Sequence, residues 1–411
     1  MRRVRPYLLA LLLIAGACSG LNRLSLYNLS GLYSTTLFTN LEAVAFNQPN
    51  DEAMIYVVLK RQDLAAEEDE STGRSFSSAR LSYRLHDNYE SKTIIDSASI
   101  IITDSSLKVT DTVIVLPMEY PGSGKYLLQL ELDDLNRADA VKAFLTLDNT
   151  EGSTNAYILY DSDGQVMFSN ILEEGEAFSV AVSEPTADRL YVRYYDRDFP
   201  LATPPFLEDE EYSFDYTPDS SFVLSMTDGE SALLYLEDKG FYQFRQDTGT
   251  RFGYTVYRYY EGFPKVVSTA QMLEPLRYIT SRDEYSELSQ AIDKKLVMDN
   301  FWLENAGNPM RARAMIQKFY GRVEEANIFF SSYHEGWKTD RGLVYIIYGP
   351  PQRVFRGRQI EEWLYGEKGN PNSIRFTFVK MENPFSDNDF SLVKSPAYKE
   401  KWYNIVNTWR R

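Results

Sequence analysis

The sequence predicts a multidomain chain: two antiparallel β-sandwich domains of immunoglobulin-like size, followed by a C-terminal α+β domain. Three observations carry this. Short apolar runs rich in β-branched and aromatic residues recur between residue 54 and residue 259 with no helical pattern between them. After Pro264 the hydrophobic period changes from two toward 3.6. The chain, at 411 residues, is also longer than one hydrophobic core usually organises.

The N-terminus carries Arg2, Arg3 and Arg5, then an unbroken apolar run from Tyr7 to Ala17. A helix that crosses a bilayer needs about 20 apolar residues, so this shorter run reads as a secretory signal over residues 1–17. Ala15-Gly16-Ala17-Cys18 matches the small-residue box before the lipidated cysteine of bacterial lipoproteins, although Ala15 stands where Leu is commoner. Cys18 is therefore the expected lipid attachment; an ordinary cleaved signal with an incidental cysteine is the alternative. Cys18 is the only cysteine, which excludes a disulfide framework, a thiolate nucleophile in the body and a cysteine-based metal site.

Charge narrows the partners. The chain carries 43 Lys and Arg against 59 Asp and Glu, a formal −16 that becomes more negative when the signal is removed. A nucleic acid would be repelled, and adsorption to an anionic lipid surface is disfavoured, so the lipid has to supply the membrane contact. No second apolar run approaches spanning length, and the body is expected to be soluble.

Residues 18–50 form an anchor and entry arm, and residues 51–148 the first β-domain. Its strands are expected at 54–59, 79–85, 93–102, 107–116, 125–132 and 140–147. Tyr126, Leu128, Leu130 and Leu132 alternate with Gln129 and Glu131, as in a sheet with one wet side. The acidic run from Glu67 to Gly73 reads as a solvated loop rather than a metal site. Residues 149–155 are the linker. The second β-domain, 156–268, has strands expected at 156–160, 177–182, 189–195, 221–224, 232–236, 240–244 and 252–259. Asp161-Ser162-Asp163-Gly164 reads as a hairpin turn, because the late bidentate Glu and flanking helices of a calcium loop are missing. Pro204-Pro205 and the acidic 208–211 mark a surface excursion. Aromatics make up 14% of the chain, and dense tyrosines around Tyr194 and Tyr259 fit either sheet packing or a sugar-stacking face.

The third domain, 269–411, opens with helices. Ser281 and Glu284 form a capping box for a helix whose apolar face holds Tyr285, Leu288 and Ile292. A second helix is expected over 310–329, with Met315, Phe319, Val323 and Ala326 as its buried stripe. Strands follow at 362–365 and 374–379, and Ser395-Pro396 starts a last helix with Tyr398, Trp402, Ile405 and Trp409 at helical spacing.

Between these lies Gly336-Trp337-Lys338-Thr339-Asp340-Arg341-Gly342, followed by Leu343 to Tyr348 and Gly349-Pro350-Pro351. Turn-formers bracket a six-residue apolar run, and the run is predicted as a buried strand pairing with 362–365. Gly336 and Gly342 are read as residues whose backbone angles forbid a Cβ, and Thr339 and Asp340 as caps of nearby amides. These residues resemble the signature of the GWxTD-domain family of bacterial envelope proteins, and Phe301-Trp302, Asn327 to Phe330, Trp363 and Tyr365 are similar to it as well. The resemblance covers residues 275–370 most firmly. It implies a domain type and a cell-envelope setting, and no established reaction.

Candidate chemistry is sparse. His86 and His334 are the only histidines, and His334 lies near Asp340 in sequence without a nucleophile-elbow Ser or a Cys beside it, so capping is favoured over catalysis. Asp387-Asn388-Asp389 reads as a polar turn ahead of a calcium loop. No catalytic residue, metal ligand or cofactor is assigned. The motif residues Gly336, Trp337, Thr339, Asp340, Arg341, Gly342, Gly349, Pro350, Trp363 and Tyr365 are either a self-contained structural turn or a docking point. In the second reading Lys338 and Arg341, with Arg353, Arg356 and Arg358, offer a cationic patch to an anionic partner.

The expected function is a lipid-anchored, non-catalytic binding or scaffold component of an outer-membrane assembly, with an envelope protein as partner. Ser19 after the anchor fits outer-membrane delivery, and the absence of an acidic run there favours the periplasmic face over the cell surface. A glycan-binding surface lipoprotein is the first alternative and a carboxylate-based hydrolase the second.

Overall fold

The computed structural model describes residues 24–25, 27–33, 41–60, 63–68, 75–104, 111–137, 139–208, 214–367, 369–370 and 372–410. Residues 1–17, Cys18 and Ser19 lie outside these. Among the described residues the architecture is mostly antiparallel sheet, with six α-helices gathered in the C-terminal part. Among the described residues no helix is long and apolar enough to cross a membrane.

Two sheets share the first core. One is β1 (Glu42–Gln48), β2 (Glu52–Leu59) and β6 (Thr112–Glu119), in the order β1-β2-β6. The other is built on β4 (Ser75–His86), which pairs with β3 (Glu67–Glu68), β5 (Asp96–Asp104) and β7 (Lys125–Asp134), while β8 (Asp139–Asp148) pairs with β7. Ile55 and Val57 from the first sheet meet Leu81, Leu128 and Leu130 from the second. Leu128, Leu130 and Leu132 are buried as the alternation requires, with Glu131 outward against Arg84 and Lys142. Two local expectations change. Part of the entry arm is strand, because Asn50 and Asp51 turn the chain at positive φ and return it from β1 into β2. Glu67–Glu68 is exposed but forms a short strand on β4 rather than a loop.

The second unit is one hydrogen-bonded path of seven strands, β15-β14-β11-β12-β13-β10-β9. These are β9 (Tyr157–Asp161), β10 (Phe178–Val182), β11 (Arg189–Tyr195), β12 (Ser220–Thr227), β13 (Glu230–Ser231), β14 (Gly240–Arg245) and β15 (Tyr254–Arg258). Its two ends close on one core, in which Phe178 and Val180 meet Val192, Phe244 and Val256. The expected strand at 232–236 is absent apart from a bridge at Leu234, and β13 takes its place in the sheet. Asp161 Oδ1 accepts from the amides of Asp163 and Gln165, which makes the predicted hairpin turn.

The C-terminal part contains α1 (Thr269–Leu273), α2 (Arg282–Gln290), α3 (Lys294–Ala306), α4 (Pro309–Phe330), α5 (Asp340–Tyr348) and α6 (Lys399–Val406). They pack around an antiparallel sheet β16-β17-β18-β19, made of Arg353–Arg356, Ile360–Tyr365, Ile374–Lys380 and Phe390–Leu392. The Ser281 capping box opens α2, although Ile292 lies beyond its end and is fully exposed. Phe319, Val323 and Ala326 bury the stripe of α4, with Met315 partly buried beside them. Trp402 and Trp409 dock the C-terminus, and the Trp409 indole donates to the Ile347 carbonyl.

The largest correction falls at the centre. Residues 343–348 are not a strand but most of α5, and the strand that pairs with β17 is β16. Thr339 at the N-cap accepts from the Gly342 amide at 2.9 Å, and Asp340 stands in the first turn, where a helix favours negative charge. Residues from Arg341 to Ile347 are all buried, so the helix needs no polar face, and the apolar run alone gave no period to separate helix from strand. Gly349 at φ +87° ends it, and the prolines prevent continuation.

Candidate functional site

The motif is folded into itself. Gly336–Lys338 forms one 3-10 turn that places Trp337 in the core, where its ring meets Tyr278 edge-on. The Gly336 amide donates to Ser331 Oγ at 2.8 Å, and the Trp337 amide donates to Asn327 Oδ1 at 3.2 Å. Thr339 Oγ1 donates to the Gly336 carbonyl at 2.8 Å, and the Tyr278 hydroxyl donates to the Trp337 carbonyl at 3.1 Å. The glycines are required by space and not by backbone angle, since neither has a positive φ. A Cβ on Gly336 would lie 2.0 Å from the Ala326 carbonyl oxygen, and one on Gly342 would lie 2.0 Å from that of Gly336. Turn, α4 and α5 thus touch backbone to backbone.

Asp340 reaches outward to β19: its Oδ2 accepts from the Leu392 amide at 2.7 Å, and its Oδ1 lies 3.5 Å from Lys394 Nζ. The opposite end of α5 is held by a residue that sequence reasoning missed. Arg322 on α4 donates to the carbonyls of Ile346 and Ile347 and lies over the Trp409 ring, a cation at a helix C-terminus. Tyr365 donates to the Gly349 carbonyl at 2.7 Å.

Beneath α5 lies a buried ionic cluster. Glu361 of β17 is fully buried, and its carboxylate accepts from the Tyr33 hydroxyl at 2.8 Å, from the Trp363 indole at 2.7 Å and from Arg356 Nε. Arg341, 1% exposed, lies 3.8 Å from the same carboxylate, its guanidinium against the rings of Phe330 and Phe390 and bonded to Asn388. Burial pushes the Glu361 carboxyl up, but Arg356 and Arg341 outweigh it and hold the group below its ordinary range. Burial raises the Tyr33 hydroxyl, so it stays protonated and able to donate. Tyr33, Arg356, Trp363 and Arg341 thus surround the Glu361 carboxylate with donors and positive charge. Glu361, one residue ahead of the expected strand, alternates with Trp363 and Tyr365 along β17, and all three are buried.

Tyr33 belongs to the N-terminal arm. Residues 24–25 and 27–33 lie along the free side of β16 as a strap: the Ser25 amide donates to the Arg356 carbonyl at 2.6 Å, and the Leu29 amide to that of Val354 at 2.9 Å. Asn28 Oδ1 and Ser25 Oγ return bonds to the amides of Val354 and Arg356. Tyr33 then enters between Phe329, Phe330 and Trp363.

The expected cationic patch does not form as drawn. Arg341 and Arg356 are inside the cluster, Lys338 pairs with Glu335 at 2.8 Å, and only Arg353 and Arg358 are exposed. The chain's own excursion covers the motif turn, since the Ala202 amide donates to the Lys338 carbonyl and Leu201, Ala202 and Phe206 pack on the core. This corrects the expectation that the region around Pro204-Pro205 lies on the surface; residues 209–213 are outside those described. Asp387-Asn388-Asp389 is an internal polar turn, with Asn388 on Arg341 and Asp389 accepting from Tyr333 and Asn383. Among the described residues no three His, Cys, Asp or Glu converge on a metal-sized site. His86 Nδ1 lies 2.9 Å from the Thr93 carbonyl, and His334 packs on Phe199.

The tyrosines mostly pack. Tyr195, Phe241, Tyr257 and Phe385 form an aromatic weld between the second sheet and the C-terminal part, and the Tyr257 hydroxyl donates to the Phe385 carbonyl at 2.6 Å. Tyr259 stacks between Tyr257 and Phe263 with its hydroxyl on Ser332. Beside it a cleft of about 590 Å³ is lined by Glu173, Glu174, Arg258, Tyr260 and Glu261, with Asn327 at its back. Asn327 donates to the Tyr260 hydroxyl and the Pro264 carbonyl while holding the Trp337 amide, so one buried side chain joins cleft to motif.

Residues 240–411 match the GWxTD domain family. The match begins at Gly240, the first residue of β14 in the second sheet. No curated protein matches the chain. Among solved structures, red sea bream transglutaminase is similar at 12% identity with a TM-score of 0.18, over 54% of this chain and 32% of that one, a likeness that carries no argument about fold or activity. This chain covers about a third of that protein.

Proposed function

With residues 240–411 belonging to the GWxTD domain family, we propose that this chain is a lipid-anchored cell-envelope protein that binds within an outer-membrane assembly and catalyses nothing. The observation that carries the reading is the strap. The segment that follows the expected acylated Cys18 is stitched into the C-terminal sheet and ends in the buried ionic cluster, so a tether at Cys18 holds the GWxTD domain itself. Saturation of the motif's polar groups supports a structural role for it and leaves binding to other surfaces. The two β-units, read as sandwiches of immunoglobulin-like kind, then serve as spacers and partner platforms on the periplasmic face. The test is the mass of the N-terminal peptide of the chain isolated from membranes, together with partner capture after detergent solubilisation. An acylated Cys18 and a stoichiometric envelope protein are expected; a free Cys18 thiol would remove the anchor, and a chain that co-purifies with nothing would remove the assembly.

A second reading, binding of a glycan, draws on the cleft beside Tyr260, where carboxylates and a half-buried hydroxyl line an open space. Tyr259 also lines the cleft, with its ring stacked against Tyr257 and Phe263. Retardation on polysaccharide that Tyr260→Ala abolishes would favour this reading.

A further inference from the structure

The strap fixes which side of the molecule meets the bilayer. From Cys18 to Leu24 there are six residues, and an extended chain covers at most about 3.3–3.6 Å per residue, so Leu24 lies within roughly 20 Å of the attachment. Leu24 leads straight into Ser25, which is bonded to Arg356 on the outermost strand of the C-terminal sheet. The GWxTD domain is therefore the near end of the molecule, although it is last in sequence.

The chemistry of that edge suits the position. Tyr27 on the strap is 69% exposed. Arg353 is flanked by the two bonds from Asn28 to Gln352 and Val354, and Arg358 lies two residues beyond the Ser25 contact. Both arginines are exposed and make no ion pair among the described residues, and Glu90 Oε1 accepts from the Arg358 backbone amide at 3.3 Å. Guanidinium groups bind phosphate oxygens in a fork, and tyrosine favours the headgroup level of a membrane. The net charge of −16 is repelled by the same phosphates, so among the sides that a tether at Cys18 can reach, an edge with exposed arginines is favoured.

We propose that the strap edge of the C-terminal sheet, presenting Tyr27, Arg353 and Arg358, lies on the lipid headgroups and docks the anchored protein by their phosphates. This rests on the anchor reading above. The test uses the full chain isolated with its anchor and reconstituted in vesicles of phosphatidylcholine and phosphatidylglycerol. A reporter dye is attached at Gln359→Cys or, in the hairpin turn after β9, at Asp163→Cys, and a headgroup nitroxide lipid serves as quencher. An acylated Cys18 takes no dye, so labelling of the unsubstituted chain tests the anchor separately. The expected result is quenching at 359 and not at 163, with roughly five-fold fewer molecules in headgroup contact for each arginine reversed in R353E and R353E/R358E. Acylated chain quenched equally at both positions, or unaffected by the double reversal, would overturn the docking surface while leaving the anchor intact. Dye uptake at Cys18 would overturn both.

Discussion

His334 sets its ring 5.0 Å from that of Phe199, and its Nδ1 makes no hydrogen bond among the described residues. Burial, and then the charge of Lys338, pushes its pKa down from 6.5 to about 4. The folded chain keeps the imidazole neutral where the unfolded chain would take up a proton. The stability this contributes is complete above pH 6.5 and is lost as the pH falls toward 4. Denaturant unfolding of the wild type is expected to weaken across that window, and His334→Leu is expected to remove the slope. Glu361 contributes at lower pH, because its pKa lies below the ordinary 4.5 and its stabilisation disappears only as the pH falls through that depressed value. Equal slopes for wild type and variant between pH 6.5 and 4 would contradict the burial of the ring. The capping expected of His334 from its place beside a turn is not what the structure shows, since the ring packs on Phe199 with its Nδ1 unbonded. The role of Glu361 was not legible, because a glutamate in phase with Trp363 becomes informative only once its two arginines and Tyr33 are in place.

At the scale of the element, the turn and α5 show what a local pattern can and cannot say. Glycine at 336 and 342, Thr339 as a cap and Pro350-Pro351 as a stop were all visible, and each does a job the sequence allows. The conformation of the run they bracket was not visible, since a helix buried on every side carries no amphipathic period. The reason for the glycines was also misjudged: it is close contact with neighbouring carbonyls, which depends on α4 crossing the turn. Gly342→Ala places a methyl against backbone that cannot swing aside, and overpacking of this kind costs typically about 1–3 kcal/mol or more. We expect a loss at the upper end of that range in chemical denaturation, with Thr339→Ala losing about 1 kcal/mol through the cap. A Gly342→Ala chain of wild-type stability would mean that turn and helix are further apart than described.

Over the whole molecule, the contacts that matter most join residues far apart in the chain, by as many as 328 positions between Tyr33 and Glu361, and no local signal announces them. Leu29 and Tyr33 enter the core of the C-terminal part, Tyr89 from the first unit reaches Arg356, and the 199–208 excursion covers the motif turn. The sequence shows where most strands and helices lie, the run 343–348 excepted, but not that the segment around Ser25 and Leu29 pairs with the edge of the last sheet. Strap, ionic cluster and motif turn should therefore behave as one cooperative body. The most direct test is a double-mutant cycle on the intact chain with Tyr33→Phe and Glu361→Gln, read by denaturant unfolding. A coupling energy on the order of 1–3 kcal/mol is predicted between these residues. Additivity to within about 0.3 kcal/mol would contradict the account, because the strap would then not be locked to the domain it is described as holding.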